Sequence, residues 1–245
     1  MAARNAADAQ GPTAGDESSA ESLAAIAARL EKIKAYRGRL MPNHAVLAIE
    51  FPALLETYEA LYAATTLTFN VLSAHEKKFV LLLVVSCSET SIGAHHVKDF
   101  LAVGGTAEQV RAALRLAMLV VGSAPLDSVG PGWSLAVPGL TYESLFSAEL
   151  IEPALRGGIA PSLVELALVA GHATRLAWDK VGFHICRAKA LGVADAALAE
   201  ALTTLILPAG NPIFAQACGV WQRLIAEKKI DASPAHQYAI DVASR

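Results

Sequence analysis

Two glutamate–histidine pairs recur in this chain at one spacing. Glu76 precedes His95 by 19 residues, and Glu165 precedes His184 by 19. Histidine takes up and returns a proton near neutral pH. A glutamate whose pKa is raised by burial can donate one. Such a pair suits a decarboxylation or isomerisation through an enolate, which also needs something to hold the developing negative charge. His95, His96, Arg175, Lys180 and Arg187 are candidates for that second task, and the hydroxyls of Ser88 and Ser91 for gripping a substrate carboxylate. His96 also rivals His95 as the proton carrier, because Gly104 lies eight residues beyond it as Gly192 lies eight beyond His184.

The elements that must position these groups read as helices. Ser73-Ala-His-Glu76 and Ser162-Leu-Val-Glu165 each precede an apolar run and have the Ser-x-x-Glu form of a capping box. Each glutamate therefore has two readings, a helix cap or an acid–base group. His172 lies seven residues after Glu165, on the same helix face, so a packed Glu–His pair is a further reading. The two Ser-x-x-Glu boxes and the two histidines, His95 and His184, are each 89 residues apart. Gly104 and Gly192, and Gly122 and Gly210, read as helix C-caps 88 apart, and Pro125 and Pro212 follow the second pair. Four landmarks in the same order indicate an internal repeat. The first copy keeps a polar Ser88-Glu-Thr-Ser91 turn where the second has Ala177-Trp-Asp-Lys180, which favours the His95 site.

These motifs resemble the alkylhydroperoxidase D-like and carboxymuconolactone decarboxylase family. Its redox branch carries a glutamate, then Cys-x-x-Cys, then a histidine four residues on. Ser88 and Ser91 fall at the cysteine positions and His95 at the histidine. Ile92-Gly-Ala-His95 and Gly104-Gly-Thr106 also read like the family. Gly182-Phe-His184, Gly192 and Leu207-Pro-Ala-Gly210-Asn-Pro212 resemble the decarboxylase branch, which lacks the cysteine pair and needs no cofactor. The resemblance covers roughly 42–106 and onward, and again 140–221. It implies an all-α fold of two tandem helical repeats, in segments 21–130 and 131–245, and assembly into a homo-oligomer, a dimer or trimer for a double-repeat chain. Taken together, the candidate catalytic residues are Glu76, His95, His96, Glu165 and His184, and the candidate substrate contacts are Ser88, Ser91, Arg175 and Lys180.

The serines weigh against electron transfer. Peroxide reduction needs an attacking thiolate and a resolving thiol, and a serine hydroxyl is no reductant. Cys87, Cys186 and Cys218 are scattered, without disulfide or zinc spacing, so no metal is expected. A pairing of Cys87 with Cys186 across the repeats stays open, and with it a thiol-dependent peroxidase. The first expectation is a cofactor-free lyase or isomerase acting on a small carboxylated or lactone-like metabolite. A third possibility is a non-catalytic oligomeric binding protein.

The chain of 245 residues is 54% hydrophobic and only 6% aromatic, which favours helices around a large core. Its formal net charge of −3 leaves no basic stripe for nucleic acid. The longest wholly apolar run, 79–85, is far short of the roughly 20 residues of a membrane helix. The N-terminus has no apolar signal-peptide core, so a cytoplasmic location is expected. Residues 1–20 read as a disordered tail, poor in groups to bury. Trp133 and Trp178 read as core residues. Helices are expected around 23–36, 52–65, 142–155 and 213–228. A loop after Gly122 and a short polar C-terminal tail complete the expectation.

Overall fold

The computed structural model describes residues 23–89, 93–133, 135–231 and 233–243, with side chains left out for 128–131 and 243. The expected tail at 1–20 and Ser91 lie outside the described residues. Among those described, the protein is all-α, with α-helices, one π-helical turn and no strand.

Contacts divide the chain into two compact units after Leu61. The first unit holds α1 (Leu23–Arg37), α2 (Pro42–Glu50) and most of α3 (Pro52–Tyr62). Its small core is Ile33, Ala48 and Leu55. Arg37 Nε donates to Glu59 Oε2 at 2.7 Å, tying α1 to α3. Burial lowers the pKa of His44, whose Nδ1 accepts the Met41 backbone N–H at the start of α2.

The second unit, 62–245, is built on α4 (Ala74–Cys87) and α10 (Pro161–Thr174), which pack directly on each other. Both are apolar nearly all round and buried along most of their length, as central helices must be. Their close approach rests on Gly171, where a Cβ would stand 3.1 Å from Leu83 Cδ2 and 3.3 Å from Val120 Cγ2. On the α4 side lie α5 (Ala94–Ala102), α6 (Ala107–Gly122) and α9 (Ala148–Arg156). On the α10 side lie α11 (Trp178–Ala190), α12 (Asp195–Thr203) and α13 (Asn211–Ala226). Residues from both sides of 130/131 share this one core.

Three local expectations change. The stretch after Gly122 is not a loop but α7 (Pro125–Trp133), and Trp133 is exposed. The helix expected over 142–155 breaks at Phe146 and Ser147 into α8 (Tyr142–Leu145) and α9. Thr141 caps α8 and starts it afresh. The C-terminal tail forms α14 (Pro234–Ala243), with the His236 ring 4.7 Å from Trp221.

One helical stretch among the described residues, Ala107–Asp127, is long and apolar enough to cross a membrane. Its Ala112, Ala113, Leu116 and Val120 are buried in the shared core, while Glu108 pairs with Arg111 and Arg115 on the exposed face. That division is the pattern of an amphipathic core helix.

Candidate active site

The two capping boxes have different fates. Ser73 caps α4: its Oγ accepts the Glu76 N–H, and the Glu76 carboxylate accepts from Ser73 N and Oγ at 2.8 and 2.7 Å. Glu76 is thus a cap in full. Ser162 caps nothing. Proline at 161 starts α10 two residues earlier than the box implies, with Ala160 at the N-cap. Glu165 is therefore free of capping duty and buried in the first turns of the helix.

There Glu165 meets the histidine expected of it. His184 Nδ1 lies 2.6 Å from Glu165 Oε2, and Arg187 Nε donates to Oε1 at 2.8 Å. The other ring nitrogen, His184 Nε2, lies 2.9 Å from the Tyr142 hydroxyl. That hydroxyl also lies 3.1 Å from His172 Nε2. The two imidazoles stack 5.2 Å apart at 11°.

The donor inventory orients this chain. With Glu165 a carboxylate, it only accepts, so His184 Nδ1 carries the proton. A neutral His184 then accepts at Nε2, so Tyr142 O–H donates to it. The Tyr142 oxygen is left to accept from His172 Nε2–H, and His172 Nδ1 keeps its lone pair, with no hydrogen-bond partner. Electrostatics agree with neutral rings. Burial, then the neighbouring His184 and Lys180, pushes the His172 pKa down to about 2. Burial also lowers that of His184 against the raising effect of Glu165. Burial and then Glu165 raise that of Tyr142, so it stays a phenol.

Of these groups Tyr142 borders a cleft of about 670 Å³, lined also by Leu126, Asp127, Glu143, Trp178, Asp179, Lys180 and Arg223 among others, while Glu165, His172 and His184 lie buried behind it. Lys180 Nζ stands 5.3 Å from the centre of the Tyr142 ring. It donates to Ser123 O at 2.8 Å and is held by Asp127, whose Oδ1 is also at 2.8 Å. Arg187 lies over the Phe146 and Phe183 rings at 4.8 and 5.5 Å.

The other expected residues are dispersed. Ser88 ends α4 and its hydroxyl donates to Val85 O. It lies twelve residues from Glu76, roughly 18 Å along the helix axis. Arg175 pairs with exposed Glu89 at 3.2 Å. His95 and His96 stand together at the start of α5, their ring centres 4.0 Å apart. Glu76, Ser88 and Arg175 are thus each engaged elsewhere, and the expected grouping around His95 is not assembled from them.

Backbone geometry explains why. The turn after α4 places Glu89 at φ 56°, and the turn after α10 places Leu176 at φ 59°. These match at an offset of 87. The ends of α5 and α11 match at 88: Gly105 N donates to Phe100 O, and Val193 N donates to Ala188 O. The offset of 89 that pairs Glu76 with Glu165 and His95 with His184 is therefore not the structural register. Glu165 corresponds to Lys78, His184 to His96 and Arg187 to Asp99. Lys78 Nζ and His96 Nδ1 each lie 3.9 Å from Asp99 Oδ2. At these positions the first half has a looser grouping, with a cation where the second half has its carboxylate and a carboxylate where it has its cation.

Tyr142 and Asp127 were missing from the sequence reading. Neither lies in a motif, and Tyr142 reaches its histidines from 30 and 42 residues away. The three cysteines are free. Burial pushes the Cys87 thiol up to about 12, its neighbour Arg175 only partly opposing, and also raises Cys186 and Cys218. Compared with protein-family models, curated proteins and solved structures, the chain matches none.

Proposed function

We propose that this protein is a cofactor-free acid–base enzyme, a lyase or isomerase of the carboxymuconolactone decarboxylase-like kind, built as a tandem helical repeat. Its substrate is a small carboxylated or lactone-like metabolite, and its working site is in the second half. One observation carries the reading: a directed hydrogen-bond chain, His172–Tyr142–His184–Glu165, runs from a cleft-lining phenol to a buried carboxylate.

The chemistry follows from the order of donors. The Tyr142 oxygen takes a proton from a substrate carbon as its own proton passes to His184 Nε2. Tyr142 ends neutral, the substrate becomes an enolate, and His184 becomes an imidazolium beside Glu165. Returning the proton along the same path to a different carbon isomerises the substrate. Alternatively a substrate carboxylate leaves as carbon dioxide, its bonding pair forming an enolate that takes the Tyr142 proton, which a proton from water then replaces. Burial alone would make the imidazolium costly, and Glu165 offsets that cost. The cations of the cleft lining are Lys180, already paired with Asp127, and Arg223; they stand beside Glu143 and Asp179, so Arg223 is the candidate to meet a carboxylate or an enolate oxygen.

Deuterium uptake tests this. A panel of small keto acids and carboxylated lactones is incubated with the protein in heavy water and followed by proton NMR. The wild type is expected to exchange or convert at least one of them. Tyr142→Phe and His184→Gln are expected to stop this while circular dichroism stays helical. No exchange by the wild type, or full exchange by Tyr142→Phe, would overturn the reading.

A non-catalytic binding protein is the second reading. It is favoured by the mutual satisfaction of Glu165, His184, Arg187 and Tyr142, which is what a packed structural network shows. It predicts ligand binding in the cleft without exchange. The thiol-peroxidase alternative draws no support from three cysteines whose pKa values are all raised. Assembly into a dimer or trimer is part of the proposal, supported by the exposed Leu101, Leu114 and Met118 of α5 and α6.

A further inference from the structure

The first half carries a separate constellation that the acid–base proposal does not use. We infer that His95, His96 and Asp99 form a binding site for one divalent transition ion of the Zn2+ class. Each residue offers one ligand atom, and the three atoms lie within 4.8 Å of one another. All come from the first turns of α5. His95 and Asp99 stand one helical turn apart and so share a face, while His96 is its neighbour at the same end. His96 is buried, and His95 and Asp99 are partly buried, so the donors are shielded without being sealed off.

The donor set selects the ion. Two imidazoles and one carboxylate suit Zn2+, Co2+ or Ni2+, whereas Mg2+ and Ca2+ favour all-oxygen sets. Bonds of about 2.0–2.2 Å place tetrahedral donors roughly 3.5 Å apart, so the site closes by about 1 Å through side-chain torsions on one helix. Three protein ligands leave a fourth position for water or a small anion, the arrangement of an open site.

Lys78 sets the affinity. Its ammonium, 3.9 Å from Asp99 Oδ2, occupies the carboxylate that the ion would take. It is buried on α4 and cannot swing fully into solvent. The ion must therefore compete with a resident cation, which makes the site weaker than its donors alone imply. In the second half Glu165 and Arg187 stand where Lys78 and Asp99 stand here, so that half has no matching carboxylate on α11. The ion site is specific to the first half and does not depend on the proposed acid–base activity.

The test uses the full chain without a histidine tag. Co2+ is titrated while its visible absorption is followed, and Zn2+ binding is measured by calorimetry. One ion per chain is expected. His95→Gln and Asp99→Asn are each expected to weaken binding at least about tenfold, and Lys78→Met to tighten it, with helicity checked for each. No saturable uptake, or wild-type affinity in both His95→Gln and Asp99→Asn, would overturn the inference.

Discussion

Replacing Glu165 with glutamine is the most informative single change. The amide keeps the shape but carries no charge. It has one acceptor oxygen where the carboxylate has two, and it brings an N–H2 toward groups that are themselves donors. The carboxylate accepts two charge-assisted bonds, at 2.6 and 2.8 Å, and is 1% exposed. A hydrogen bond to a charged group is worth about 1.5–3 kcal/mol net. The Arg187 side chain is 40% exposed, so it can turn to water and recover much of its loss. His184 is fully buried and cannot. The expected cost is thus about 2–4 kcal/mol, below the roughly 3–5 kcal/mol of a pair buried on both sides. At roughly 2–4 °C per kcal/mol for a chain of this length, the melting temperature should fall by about 4–16 °C. Urea unfolding followed by far-ultraviolet circular dichroism, with a thermal scan, measures both. A loss below about 0.5 kcal/mol would refute the reasoning, because the carboxylate would then not be anchoring His184.

Acid should destabilise the protein through its buried histidines. His172 and His184 have lowered folded-state pKa values, so below about pH 6.5 the unfolded chain binds protons that the folded chain refuses. Stability should fall from about pH 6.5 downward, for His172 until its folded value of about 2, at up to about 1.4 kcal/mol per pH unit for each ring. His172→Phe should flatten that slope in urea titrations at several pH values, and an unchanged slope would count against it. Glu200 accepts the backbone N–H groups of Asn70, Val71 and Leu72 and pairs with Lys77, and its folded pKa is lowered to about 2. Its contribution is present above about pH 4.5 and is lost as pH falls toward 2. Glu200→Gln should accordingly lower stability at pH 7 and matter less at pH 3. Gly171→Ala gains about 1 kcal/mol of helix propensity but presses on Leu83 and Val120, both almost fully buried. With overpacking at about 1–3 kcal/mol, a net loss near 1 kcal/mol is expected, and a stabilised variant would show that α4 and α10 can move apart.

Much of the architecture was legible in the residues themselves. Low aromatic content, apolar runs of helical length and glycine C-caps at Gly104 and Gly192 determine an all-α chain, because these are local preferences of backbone and side chain. The Ser73–Glu76 cap is equally local and forms as its spacing predicts. Register was not local. Each residue added to a helix turns a side chain by about 100°, so a start two residues early changes which group faces inward. Proline at 161 moves the start of α10, and with it Glu165 leaves the cap position and enters the core. Glutamate and histidine recur at 89 residues in the sequence, while the matching turns lie 87 and 88 residues apart in the structure. Sequence alone singled out Glu165 and His184. Only the packing of α8, α10 and α11 brought Tyr142 and His172 to them, since a hydrogen bond across 30 or 42 residues leaves no mark in spacing.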